Sequence, residues 1–345
     1  MREMPPPAQL IAGLPADSAV AEHIFAARKA AEQIISGGDD RLLVIAGPCS
    51  VHDKKAVLEY GERLAELARL HSSRLLVVMR VYFEKPRTTI GWKGLINDPH
   101  LDGSYAITEG LHLARGILLD LNRMGLSCGT EFLDAISPQY VADLIGWGAI
   151  GARTAESQVH REMASGLSCP VGFKNGTGGS VQIAADAIRS ASQPHHFLAV
   201  DKNGKCAKAE TRGNKHCHII LRGGKNGTNY DAKSVEETTQ ILAKCALPGR
   251  VMIDCSHANS GKDYRRQPDV AADIAAQISG GDMRIMGAMI ESHLVEGCQE
   301  IVQGRELTYG QSVTDACIGW EKTEEVLAIF ADAAAARQRA LRLRE

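Results

Sequence analysis

The chain has 345 residues, 44% of them hydrophobic, with 34 glycines and 12 prolines. This leaves room for a large core, fits a globular α/β protein and excludes collagen-like and disordered classes. Lys plus Arg number 39 against 41 Asp plus Glu, a formal net charge of -2, so no global field draws the chain to nucleic acid or an anionic membrane, and any anion site must be a local cluster.

Residues 1–16 are Pro-rich and read as irregular. Asp17-Ser18, then AVAEHIFAARKAAEQII and Gly37-Gly38, predict a capped amphipathic helix with a glycine stop. Residues 1–40 therefore read as an N-terminal extension. From residue 41 short apolar runs alternate with helical periodicity. Eight runs stand out: LLVIAGPCS (42–50), LLVVMRV (75–81), SCGTEF (127–132), GAIGAR (148–153), PVGFKN (170–175), CHIILRGG (217–224), RVMIDCSH (250–257) and MRIMGAMIESH (283–293).

Near-continuous apolar strands imply burial on both faces, as in a parallel sheet. The stretches 54–70, 179–191 and 232–245 have the period and length of covering helices. Eight strands with crossover helices predict an α/β protein, a (β/α)8 TIM barrel over 41–330, although an open doubly wound sheet has the same local pattern. The interval from 175 to 217 is too long for one helix. Its HHFLAV, DKNG and KCAKAETR predict an inserted β-hairpin at about 195–216. The Ala/Arg-rich end reads as a helical tail over 331–345. Nine cysteines without a C-x-x-C pair favour a reducing compartment, and no run approaches the ~18 apolar residues of a membrane span. The expected location is the cytoplasm.

In a barrel, the C-terminal strand ends converge on one mouth. Here they carry Cys49, Arg80, Glu131, Arg153, Lys174, Arg222, His257 and Glu291. Arg80, Arg153, Lys174 and Arg222, with Lys85 in the following loop, form a cation cluster that would repel itself without an anion. A small multi-anion such as a phosphorylated carboxylic acid matches Arg forks and Lys point charges, and pairing with acids at the rim is the alternative. Cys49, His257, Glu291 and Asp315 offer sulfur, nitrogen and carboxylate oxygens, a set suited to Mn, Fe, Co or Zn rather than Mg or Ca. A buried thiol and a helix cap explain Cys49 and Asp315 equally well at this level. The loop EKPRTTIGWKG (84–94) adds Arg87 and Thr88 as a second phosphate grip, or a solvated basic loop.

Taken together, GPCS, RVYFEKPRTT, GART, GFKNGT, ILRGG, DCSHAN, ESHLVEG and TDACIGW resemble the class I 3-deoxy-D-arabino-heptulosonate 7-phosphate (DAHP) synthases, in one order from about residue 20 to about 330. The resemblance implies a TIM barrel with an N-terminal extension and a two-stranded insert. It implies condensation of phosphoenolpyruvate with erythrose 4-phosphate, the first committed step of the shikimate pathway. The family's metal ligands fall on Cys49, His257, Glu291 and Asp315. Its phosphoenolpyruvate ligands fall on Arg80, Lys85, Arg153, Lys174 and Arg222, and its erythrose 4-phosphate grip on Arg87 and Thr88. Lys85 is a candidate proton donor. Glu131 is a candidate for activating water, or else a charge partner for the cations.

The resemblance also implies a homodimer or homotetramer and an aromatic amino acid effector, with residues 1–40 and the hairpin serving subunit contacts and regulation. The position of Ala199 is commonly Ser in phenylalanine-sensitive and Gly in tyrosine-sensitive forms, so the effector stays open. Three rival readings remain: a related synthase using arabinose 5-phosphate, a Schiff-base aldolase working through Lys174, and a sugar-phosphate sensor without activity.

Overall fold

A computed structural model describes residues 3–87 and 89–343. Eight parallel strands close into one barrel: β1 (Leu42–Gly47), β2 (Leu75–Arg80), β3 (Ser127–Glu131), β4 (Trp147–Ile150), β5 (Val171–Lys174), β8 (Cys217–Leu221), β9 (Val251–Asp254) and β10 (Ile285–Glu291). Every neighbouring pair is parallel, and β10 closes the ring against β1. Between β5 and β8 stands the antiparallel hairpin of β6 (His196–Val200) and β7 (Cys206–Glu210). The expected barrel, with its hairpin insert, is the observed fold.

The helices are α1 (Pro7–Gly13), α2 (Ser18–Ser36), α3 (Lys54–Leu70), α4 (Ile107–Arg123), α5 (Pro138–Val141), α6 (Gln158–Gly166), α7 (Val181–Ala191), α8 (Ala232–Lys244), α9 (Gln267–Ser279) and α10 (Trp320–Arg342). A short ladder of β11 (Val295–Cys298) and β12 (Gln311–Ser312) follows β10. Among the described residues no helix is long and apolar enough to cross a membrane.

Strand alternation divides the core. Leu43, Ile45, Val78, Trp147, Ile220, Met252 and Met289 fill the barrel interior, while Leu42, Val44, Val77 and Val171 meet the surrounding helices. Both sets are buried because both faces of a parallel sheet are covered. Ala31, Ile34 and Ile35 at the end of α2 join the interior cluster, so this helix is the floor of the barrel. Its limits follow local chemistry. The Asp17 carboxylate accepts from the Val20 N–H at 2.9 Å, and Gly37 takes φ 87°, the left-handed cap that glycine adopts without a Cβ clash.

Two expectations need correction. Residues 7–13 are helical, not irregular, because Pro7 sits at the first turn, where its missing N–H costs nothing. This short helix is tied down at several points: Ala8 N–H donates to Lys202 O in the hairpin at 2.7 Å, and Tyr140 Oη donates to Pro5 O at 2.9 Å. The segment read as a tail from 331 is the second half of α10, which begins at Trp320 and covers the barrel. Arg337 anchors it. This fully buried guanidinium donates to Ile285 O at 2.7 Å and Asp40 O at 3.2 Å, at the start of β10 and just before β1.

Replacing Arg337 with Leu leaves those buried carbonyls unmatched. The expected loss is about 2–4 kcal/mol of stability, from penalties of roughly 1–3 kcal/mol per unsatisfied group. Urea denaturation measures it, with substrate KM values unchanged because the residue lies at the opposite end from the mouth.

Candidate active site

Buried carboxamides staple the strand ends into fixed positions. Asn175, after β5, donates to Gly223 O at 3.0 Å and accepts from the Arg222 N–H at 2.8 Å, which ties β5 to β8. Asn259 donates to Leu221 O at 3.2 Å and to Asp254 O at 2.9 Å, which ties β8 to β9. Gln267 exchanges two bonds with the Glu291 backbone, at 2.8 and 3.0 Å. Side chains at the mouth are therefore held by a hydrogen-bonded frame rather than by the strands alone.

Within this frame Cys49, Glu291 and Asp315 bring one ligand atom each to within 4.8 Å of one another. His257 adjoins them, its Nε2 4.0 Å from Glu291 Oε1. Cys49 is fully buried, and its thiol donates to Asp315 at 3.3 Å. Lys85 reaches into the group, with Nζ 2.9 Å from Cys49 Sγ and 4.0 Å from Asp315. Burial, then the Glu291 carboxylate, pushes the Cys49 thiol up to about 11, with Lys85 opposing. Burial would raise Asp315 too, but Lys85 and the Cys49 S–H hold it below its usual range. A bound cation inverts this logic, since a coordinating thiol loses its proton.

These residues fit a divalent metal. Glu291 is 2% exposed, yet among the described residues its Oε1 accepts no hydrogen bond; Arg80 lies 3.0 Å away, an ion pair without hydrogen-bond alignment. A buried oxygen with unused lone pairs, beside sulfur, imidazole nitrogen and a second carboxylate, is the donor set of a transition-metal site.

The cations divide into two kinds. Arg80 is built in: Nε donates to Pro48 O at 2.9 Å, Nη2 donates to Cys49 O at 3.1 Å, and the guanidinium stacks 3.5 Å over the Tyr82 ring. Lys174 donates to Asp254 at 2.8 Å. Among the described residues, no side chain or carbonyl accepts from the guanidinium of Arg153 or of Arg222. Both line a cavity of roughly 430 Å³ with Lys85, Lys174, Glu131 and His257, so the unmatched positive charge faces that space. Arg87 lines it too and donates to Trp92 O at 2.8 Å. Thr88 lies outside the described residues. Glu131 borders the cations, and Gly151 makes room for it, since a Cβ there would stand 2.3 Å from Glu131 Oε1.

Several residues were missed by the sequence reading. Asp254, fully buried at the end of β9, joins Lys174 to His257; the one signal was a carboxylate closing an apolar strand. Burial would raise its carboxyl, but Lys174 and His257 hold it well below the usual range. Lys262, Thr177 and Tyr264 also line the cavity. Glu84, before Lys85, accepts from Ser137 Oγ at 2.8 Å, and burial pushes its carboxyl up to about 7.

The model of the DAHP synthetase I family matches residues 21–328. The chain is 57% identical over 338 residues to phospho-2-dehydro-3-deoxyheptonate aldolase, Phe-sensitive, of Escherichia coli strain K12, covering 98% of this chain and 96% of that one. A Trp-sensitive relative from Enterobacter agglomerans is 55% identical over 96% of this chain and 95% of its own length. The solved structure of the aldolase of that name from Francisella tularensis SCHU S4 superposes with a TM-score of 0.96 at 52% identity, covering 98% of both chains. Matched by the family model over most of its length, and more than half identical to such relatives, the chain belongs to the DAHP synthetase I family.

Proposed function

We infer that the chain is a DAHP synthase, a metal-dependent enzyme that condenses phosphoenolpyruvate with erythrose 4-phosphate and water, releasing phosphate. The observation that carries this reading is two guanidiniums without partners among the described residues, Arg153 and Arg222, facing the same cavity as a sulfur, nitrogen and carboxylate donor set. The relatives' names give the reaction. Cys49, His257, Glu291 and Asp315 would hold the ion, with Mn, Fe, Co or Zn suited to their mixed donors. When bound, it supplies a Lewis acid for an aldehyde oxygen.

The chain's own residues do the rest. Arg153, Arg222 and Lys174 bind the phosphate and carboxylate of phosphoenolpyruvate, and Arg80 completes the positive wall from behind. Arg87, with Thr88, grips the phosphate of erythrose 4-phosphate. With both reactants fixed, C3 of the enolpyruvate bonds to the aldehyde carbon, an approach that positioning alone makes far easier. Lys85 donates its proton to the new alkoxide. Water adds to C2, one of its protons taken by Glu131; the C2–O bond to phosphate then breaks, its electron pair leaving with the phosphate, which takes the hydroxyl proton as the C2 ketone forms.

A Schiff-base mechanism through Lys174 is disfavoured by its ion pair with Asp254 at 2.8 Å, because an amine must shed that proton before attacking a carbonyl. The heptulosonate names of the relatives argue against arabinose 5-phosphate as substrate.

Feedback inhibition by an aromatic amino acid accompanies the activity. The relatives include Phe- and Trp-sensitive forms, and Ala199 leaves the effector unassigned. Regulation and assembly into a homodimer or homotetramer are the proposed work of residues 1–40 and the hairpin, where Leu198 is 90% exposed. The nine free thiols support a reducing compartment, the cytoplasm.

Chelator-treated protein is expected to lose turnover and regain it with Mn, Fe or Co, whereas Cys49→Ala stays inactive after reloading; full activity of metal-free protein would refute the metal's role. Titration calorimetry of Arg153→Ala should show phosphoenolpyruvate binding weakened by ~2–4 kcal/mol, the scale for removing one partner of a desolvated charge. Arg87→Ala should instead raise the KM for erythrose 4-phosphate. Deleting residues 1–14, which bridge to the hairpin without supplying the barrel floor, should abolish inhibition by Phe, Tyr or Trp and leave much of the turnover. Inhibition surviving at the same effector concentration would make that segment structural only.

A further inference from the structure

His257 is held in an unusual way. Its φ of 59° is in the left-handed region that β-carbon-bearing residues rarely adopt, and it is fixed there by the Lys262 N–H donating to its carbonyl at 2.7 Å and the Ala258 N–H donating to Arg222 O at 3.2 Å. This backbone aims the imidazole with Nε2 toward Glu291 and Nδ1 toward the end of β9.

At Nδ1 the hydrogen bonds decide where the ring proton sits. Asp254 is fully buried and ion-paired with Lys174 at 2.8 Å, so its carboxylate only accepts. Ser256 Oγ lies 2.6 Å from Asp254 Oδ1, and the hydroxyl's single proton is committed there. His257 Nδ1 lies 2.7 Å from that same Oγ and 3.0 Å from Asp254 Oδ2. With both neighbours acting as acceptors, the proton of the neutral ring sits on Nδ1, and in that tautomer the Nε2 lone pair is free on the side of Cys49, Glu291 and Asp315.

We propose that Asp254 is a positioning residue that serves both halves of the site, fixing the His257 tautomer that presents Nε2 to a divalent metal while holding the Lys174 ammonium toward the phosphoenolpyruvate-binding space. A carboxylate behind a ligating histidine orients the ring and strengthens it as a donor, and its loss typically weakens metal binding 10–100-fold. Here the same carboxylate has a second client. Oδ2 is shared between Nδ1 of His257 and Nζ of Lys174, so one substitution should disturb metal and anion together. Ser256 supports the arrangement by occupying Oδ1 through both its N–H, at 3.0 Å, and its hydroxyl.

The inference rests on the metal reading above, and the test separates the two. Mn2+ binding to chelator-treated wild-type protein, followed by electron paramagnetic resonance, checks the metal reading; absence of binding overturns both. If wild-type protein binds, Asp254→Asn should raise the Mn2+ Kd about 10–100-fold and raise the KM for phosphoenolpyruvate more than that for erythrose 4-phosphate. Ser256→Ala should show a smaller loss in metal affinity alone, and Asp254→Glu a partial rescue. An unchanged Kd in Asp254→Asn overturns the inference and leaves the metal reading standing. Should Asp254→Asn fail to fold, the wild-type chain still decides: 15N spectra of the metal-free protein, with His257 assigned by comparison with His257→Gln, should show protonated Nδ1 and bare Nε2. The opposite tautomer overturns the proposal.

Discussion

Arg80 and Glu291 stand 3.0 Å apart at the ends of β2 and β10, on either side of β1, with 1% and 3% of their side chains exposed. Each charge alone would cost several kcal/mol at that depth, and together they offset one another only if their remaining donors and acceptors are used. Arg80 spends its donors on the carbonyls of Pro48 and Cys49. The pair therefore fixes the turn carrying the Cys49 thiol and the carboxylate facing it. Removing Arg80 would therefore loosen the Pro48-Cys49 turn as well as remove one positive charge.

The mouth holds more charge than any one ligand needs, and the structure sorts it by whether a charge has a partner. Arg80 is matched by Glu291 and acts as framework; Lys174 is matched by Asp254 yet still lines the cavity, and Arg153 and Arg222 face it with guanidiniums that have no partner among the described residues. Burial lowers the Arg222 pKa while Asp254 opposes the shift, and an incoming anion would relieve the same strain. Pairing fixes where a charge sits, and the charges without a partner gain most from an incoming anion. Lys85 has its ammonium against the Cys49 sulfur, where it could deliver a proton beside the proposed metal ligands.

Much of this was legible in the sequence because strand ends in a barrel are projected onto one surface. Reading the last polar residue of each apolar run was enough to single out Cys49, Arg80, Glu131, Arg153, Lys174, Arg222, His257 and Glu291; the mixed donor set added Asp315, the basic loop 84–94 added Arg87 and Thr88, and the family resemblance then divided them by ligand. The pairing that sets Lys174 apart from Arg153 and Arg222 was hidden, since it depends on Asp254, the polar end of one more apolar run. Asn175, Asn259 and Gln267 escaped for a related reason: a carboxamide joining two backbones far apart in sequence has no local pattern. The short helix at Pro7–Gly13 was missed because a proline run reads as a breaker, although its last proline starts a helix.

The account's central claim is that one mouth holds a divalent metal and a phosphorylated carboxylate side by side. Anomalous diffraction from crystals soaked with Mn2+ and phosphoenolpyruvate tests it most directly. The account predicts a metal peak bounded by Cys49 Sγ, His257 Nε2 and the carboxylates of Glu291 and Asp315, with phosphate and carboxylate oxygens bonded to Arg153, Lys174 and Arg222. A metal peak away from those four side chains, or phosphoenolpyruvate bound outside the cavity they border, would contradict it.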